Sequence, residues 1–128
     1  MTALSNFLEG ALVAHIFGGA TYTPPAGIYV ALFTDDPAEG GTGTEVSGNA
    51  YVRKQFTFTT LNSTASNAST VEWPAATGAG WGTITHVALY DAVSGGNLLF
   101  YGALTTPRTV STGDIFRIVS GELEITFN

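Results

Sequence analysis

The sequence predicts a mainly β domain, a β-sandwich or jelly-roll-like barrel of about eight short strands with one N-terminal amphipathic helix. Three observations predict it. The chain has 128 residues, of which 45% are hydrophobic and only 11% charged, the composition of a chain that folds rather than one that stays disordered. Helical periodicity occurs once, near the start. Beyond residue 27, short apolar or alternating runs recur between turn-forming residues every 8–12 positions or so, the spacing of antiparallel sandwiches and barrels. The whole of 1–128 reads as a single domain, with the helix in 1–19 and the β-sandwich in 27–128.

The helix comes first. Leu4, Phe7, Leu8, Ala11, Leu12, His15 and Ile16 follow the i, i+3, i+4, i+7 rule of an amphipathic helix. Thr2 or Ser5 can cap its start, and Gly18-Gly19 supplies a stop. The segment is not expected to be a signal peptide, since it has no positive n-region and Glu9 and His15 interrupt its apolar run. No stretch of about 18 apolar residues suggests a transmembrane helix.

The strands follow in order. Residues 27–33 form a short continuous apolar run, suited to a strand buried on both faces. Residues 51–60 alternate, with Phe56 and Phe58 on one side and Gln55, Thr57 and Thr59 on the other. A short strand fits 71–73. Another fits 83–91, followed by a turn at 94–97 and a strand at 98–104. A further one fits 109–111. Residues 115–119 and 123–127 read as a final hairpin around Ser120-Gly121, with Leu123, Ile125 and Phe127 facing inward. Two segments read as irregular: 34–50, rich in Gly, Asp and Glu, and 61–70, small and polar. Loops this long are commonly functional, which makes the first a candidate contact arm.

Charge narrows the function. Four basic residues (Arg53, Lys54, Arg108 and Arg117) face ten acidic ones, for a net charge of -6. Four scattered cations cannot form the basic groove that nucleic acid requires, nor attract an anionic membrane, so neither is an expected partner. There is no cysteine, which excludes disulfides, thiol catalysis and cysteine–zinc sites. A surface so poor in charge resembles the core of a permanent interface, and the chain reads as a subunit of an assembly.

Catalytic and ligand chemistry has little to stand on. His86 and Asp91, five residues apart on one predicted strand, point to opposite faces and cannot act as a base–orienter pair. His86 shares its predicted face with Ile84, Ala88 and Tyr90, as a core histidine would. Asp35, Asp36, Glu39 and Glu45 cluster without EF-hand spacing. Ser47 lies outside any nucleophile elbow, and the 40–43 glycine run precedes no helix that would cradle a phosphate. Neither an enzyme, a cofactor nor a metal is expected. Asn62-Ser-Thr and Asn67-Ala-Ser match glycosylation sequons. Of Arg53 and Lys54, adjacent on a strand, one can bridge to the acidic loop while the other stays wet. Trp73 and Trp81 flank residues 74–80 and form either a glycan-stacking platform or a pair of core aromatics.

The chain carries Leu4-Ser-Asn-Phe-Leu-Glu-Gly-Ala-Leu12, Tyr22-Thr-Pro-Pro25, Tyr29-Val-Ala-Leu-Phe-Thr-Asp-Asp-Pro37, Gly43-Thr-Glu-Val-Ser-Gly48, Trp81-Gly82, Gly96-Asn-Leu-Leu99 and Gly113-Asp-Ile-Phe116. In these segments it resembles a family of small tailed-bacteriophage virion structural proteins whose members are labelled tail fibre, head fibre or capsid decoration protein. The resemblance implies a non-enzymatic virion protein, assembled in the host bacterial cytoplasm and working by oligomeric contact, with a trimer expected. A capsid decoration (cement) protein clamping major capsid subunits is the first expectation. The alternative is a fibre protein touching host glycans through Trp73 and Trp81. The candidate assembly contacts are Leu4, Phe7 and Leu8 of the helix and Asp35, Asp36, Glu39 and Glu45 of the loop.

Overall fold

A computed structural model describes residues 3–127. The elements in order are β1 (Ala3–Leu4), α1 (Asn6–Phe17), β2 (Ile28–Phe33), β3 (Lys54–Phe56), β4 (Phe58–Leu61), β5 (Thr64–Asn67), β6 (Val71–Glu72), β7 (Gly82–Tyr90), β8 (Leu98–Val110), β9 (Arg117–Ile118) and β10 (Glu124–Thr126). The protein is mainly β, with ten strands among the described residues where about eight were expected.

β2 lies inside the large sheet, between β7 and β3, a place that suits a strand able to bury both faces. It is part of a five-stranded antiparallel sheet in the order β1-β8-β7-β2-β3. Val30 and Leu32 point into the main core with Ile84, Val87 and Leu89. Ala31 and Phe33 point the other way and join Ala88, Tyr90 and Leu98 in a second cluster. The opposing layer consists of a three-stranded sheet, β10-β5-β4, and a pair, β6-β9. It contributes Trp73, Phe116, Ile118, Leu123 and Ile125 to the main core. The result is a β-sandwich whose large sheet carries hydrophobic clusters on both faces.

Several sequence expectations change. The run 51–60 divides into β3 and β4, which lie in different sheets. Phe56 and Phe58 still stack at 6.2 Å between ring centroids. The segment 61–70 is not irregular: β5 pairs with β4 in a hairpin in which Leu61 opposes Thr64, turned by Asn62 at φ 54°. The predicted strands at 98–104 and 109–111 are one strand, β8. Its register with β7 jumps from Ile84↔Arg108 to His86↔Ala103. That bulge inverts the side-chain alternation, so Ile84 faces the main core while His86 falls on the side of Ala88 and Tyr90.

The predicted final hairpin does not form. β9 pairs with β6 and β10 pairs with β5. The crossing between the two is pinned by Asn67, which is buried. Its Nδ2 donates to the backbone carbonyls of Ser69 and Val119, each at 2.9 Å, and its Oδ1 accepts from Leu123 N at 2.9 Å. An asparagine so enclosed cannot be a glycan acceptor, which removes the second sequon.

Candidate assembly surface

α1 begins at Ser5, whose side-chain oxygen accepts from Leu8 N at 3.1 Å, a hydroxyl N-cap of the preferred kind. Ser5 also donates its hydroxyl to the Leu98 carbonyl and its backbone N–H to Leu99 O, so the cap fastens the helix to β8. Gly18 closes the far end, with its N–H on Ala14 O at 2.9 Å. Thr2, the other predicted cap, lies outside the described residues.

This helix departs from the amphipathic expectation. Only Leu8 is buried. Phe7, Val13, Ile16 and Phe17 remain 42%, 59%, 65% and 82% exposed. The apolar residues wrap around α1 instead of forming one stripe, and its last turn stands clear of the sandwich. Of the helix contacts predicted from sequence, Phe7 is open to solvent. Leu8 is enclosed, and Leu4 is not helical but pairs in β1 with Phe100. Periodicity missed Val13 and Phe17 because they lie off the predicted stripe; the signal present was the near absence of charge from 6–17, where Glu9 is the only charged residue.

The acidic loop lies beside the start of α1, where Asn6 N donates to Glu39 O at 3.1 Å. It folds over the outer face of the large sheet, with Pro37 buried. Its carboxylates play unequal parts. Asp35 Oδ1 accepts from Thr44 N at 2.6 Å and Asp36 Oδ1 from Ala38 N at 2.9 Å, so both shape the loop while remaining exposed. A side chain at Gly43 would meet Asp35 Oδ1 and Asp36 O at 2.6 Å each, so the fold of the loop requires glycine there. Glu39 is exposed.

Glu45 is not a free contact. Its carboxylate oxygens accept from Nε and Nη2 along one edge of the Arg53 guanidinium, each at 2.9 Å, and Oε2 also accepts from the Tyr51 hydroxyl at 2.7 Å. Arg53 Nη1 reaches the carbonyls of Ala92 and Gly95 at 3.0 and 2.8 Å, and the guanidinium lies 3.8 Å from the Tyr90 ring centre. This node joins the acidic loop, β3 and the β7–β8 turn. Burial pushes the Tyr51 phenol far above its ordinary range, and its hydrogen bond to Glu45 adds to the effect.

A second apolar patch lies at the mouth of the sandwich. There Ile28, Phe58, Leu89, Phe100, Ile125 and Phe127 line a slot of about 250 Å³. Phe127 is 47% exposed and meets Phe100 edge to face at 5.7 Å. Among the described residues, no charged one lines the slot.

The glycan-stacking expectation is overturned. Trp73 is 1% exposed and Trp81 5%. Trp73 packs between Phe56 and Phe116 at 5.9 and 5.4 Å. Trp81 meets Tyr51 edge to face at 5.5 Å, and its Nε1 donates to Asn49 O at 2.8 Å. Neither indole offers a face to a sugar, because the main core needed both. His15, predicted on the apolar stripe, is exposed, with Nδ1 3.0 Å from Ala20 O. His86 is half-buried, with Nδ1 2.8 Å from Thr85 Oγ1.

The site thus consists of two uncovered apolar patches on a braced sandwich, one of them beside exposed carboxylates. A search of curated proteins finds no match to the chain. The family model described as podophage GP4 fiber I protein gp80 matches residues 3–126, nearly the full length. The chain belongs to this podophage fibre protein family.

Proposed function

We propose that this protein is an adhesive structural subunit of the podophage particle, a fibre component fastened by α1. The observation that carries the reading is the apolar last turn of α1. Ile16 and Phe17 stand in water on a capped helix, an arrangement that favours covering by another surface. The action is non-covalent: apolar area leaves water, and the braced loop keeps the surface in shape without chemical turnover. Assembly takes place in the host bacterial cytoplasm. Copies associate as a trimer through the uncharged slot around Phe127.

Capsid cement is the second reading, favoured by one observation. α1 starts beside the acidic loop, and that loop covers one face of the large sheet. A domain so arranged can lie flat against a shell and clamp major capsid subunits. Quantitative mass spectrometry of purified particles, with electron microscopy of their surface, separates the two. A few copies in projecting appendages support the fibre, and hundreds at capsid junctions support the cement. Absence from particles refutes both.

A further inference from the structure

The two apolar patches differ in their electrostatic surroundings. Glu9 lies on α1 itself, Glu39 is joined to the helix start through Asn6, and Asp36 belongs to the same loop. Tyr101, which pairs with Ala3 just before the helix, reports their proximity. Its phenol is pushed up by burial and then by the carboxylates of Glu39, Asp36 and Glu9. Among the described residues, the slot around Phe127 has no charged lining.

The chain has little of its own to meet those carboxylates. Of its four cationic side chains, Arg53 is held by Glu45, Arg108 by Glu122 and Arg117 by Glu72, at 2.9, 3.1 and 2.9 Å. Lys54 lies on β3, at the opposite edge of the large sheet from β1 and the helix it leads into. A second copy, with the same net charge of -6, would bring its own carboxylates against this patch and no cluster of free cations.

We propose that α1 seats in an apolar groove rimmed by lysine or arginine on a different protein of the particle, not on another copy of this chain. The proposal rests on the reading of α1 as the fastening element and adds the chemistry of its partner. At about 150–200 Å² per fully exposed side chain, the exposures of Phe7, Val13, Ile16 and Phe17 leave roughly 370–500 Å² of apolar surface. That area, spread around the helix, matches the largest apolar patch of a typical monomer, about 300–600 Å², and is about half of one side of a standard interface, near 800 Å². The rest of the contact comes from the surrounding polar surface, where Glu9, Asp36 and Glu39 would pair with the cations of the partner. Rim charges of this kind set partner choice and association rate.

The test places a benzophenone amino acid at position 17 of the protein during infection, then irradiates purified particles and sequences the crosslinked peptides. The expected product joins position 17 to another virion protein, at an apolar segment with lysine or arginine nearby. A product with this chain's own peptides overturns the proposal, as does a partner segment without cations or the absence of any product from particles that contain the protein. A protein absent from the particles would instead refute its role as a virion subunit. A second variant, Glu9→Lys with Glu39→Lys, should reduce incorporation into particles at least tenfold while leaving the melting temperature of the free protein within about 2 °C; unchanged incorporation overturns the proposal. Purified protein mixed with vesicles of zwitterionic or anionic phospholipid should stay in the supernatant. Sedimentation with either vesicle, abolished by Phe17→Ser, would assign α1 to a membrane instead and overturn the proposal.

Discussion

Replacing Arg53 with methionine isolates the node that holds the acidic loop in place. The substitution keeps most of the aliphatic stem and removes the fork that binds both Glu45 carboxylate oxygens and the Ala92 and Gly95 carbonyls. The side chains of Arg53 and Glu45 are 8% and 25% exposed. Stranding one member of a buried pair costs about 3–5 kcal/mol. Glu45 can partly rehydrate and keeps the Tyr51 hydroxyl, so the expected loss is about 2–4 kcal/mol by that scale. For a domain of this size, 1 kcal/mol moves the melting temperature by about 4 °C, so the variant should melt roughly 8–16 °C lower. Arg53→Lys restores the charge without the fork and should recover only part of the loss. Adding Glu45→Gln to Arg53→Met removes the stranded carboxylate and should regain about 1 kcal/mol, a coupling that a double-mutant cycle reads directly. Urea denaturation and thermal melts are measured on five proteins: the wild type, Arg53→Met, Arg53→Lys, Glu45→Gln and the double variant. If Arg53→Met melts within about 2 °C of the wild type, or the two single losses simply add, the node does not brace the loop.

Three further outcomes follow from the packing. Phe56→Ala and Leu123→Ala each truncate a buried core side chain and should cost about 2–5 kcal/mol in chemical denaturation; wild-type stability in either would invalidate the inward faces of β3 and the 123–127 segment. Asn67→Asp turns two donated hydrogen bonds into carboxylate-to-carbonyl contacts. It should cost at least about 3 kcal/mol near pH 7 and less at acid pH, where the group is protonated; equal losses at both pH values would contradict this. The raised phenol of Tyr51 makes stability depend on pH at the alkaline end. The unfolded phenol ionises near pH 10 while the folded one keeps its proton, so the unfolded state binds fewer protons above that point and folding stability falls as pH rises. Wild-type stability should therefore hold below pH 10 and decline above it. Tyr51→Phe, unstable from the start because Leu32 N loses its acceptor, should show a shallower alkaline slope in melts between pH 9 and 11.

Local structure was legible where neighbouring residues alone set it. Ser5 and Gly18 bound α1 as expected, because capping involves groups within one turn. The strand over 28–33 was readable as buried on both faces from its unbroken apolar run. The hairpin over 58–67 was not, because small residues such as Thr64, Ala65 and Ser66 carry no clear alternation. What makes that segment β is pairing with β10 and β4, together with the bonds of Asn67 to residues some fifty positions away.

The assembly surface was legible only in outline. Composition pointed to a sticky, charge-poor subunit, and Phe7, named from the sequence as a candidate assembly contact, is open to solvent. The loop acids could not be ranked, because Glu45 differs from Glu39 only in facing an arginine brought from another strand. The two tryptophans carry the same ambiguity, since an indole between turns reads alike whether the chain folds over it or leaves it open.

The sequence by itself determined a mainly β chain with one capped helix and only four basic residues. These are properties of periodicity and composition, which require no knowledge of what meets what. Tertiary structure alone decided that α1 holds its apolar residues in water while Trp73 and Trp81 do not, and that β9 and β10 part into different sheets. The reason is that burial depends on which distant segments arrive to cover a residue, and the pairings that decide this join positions tens of residues apart.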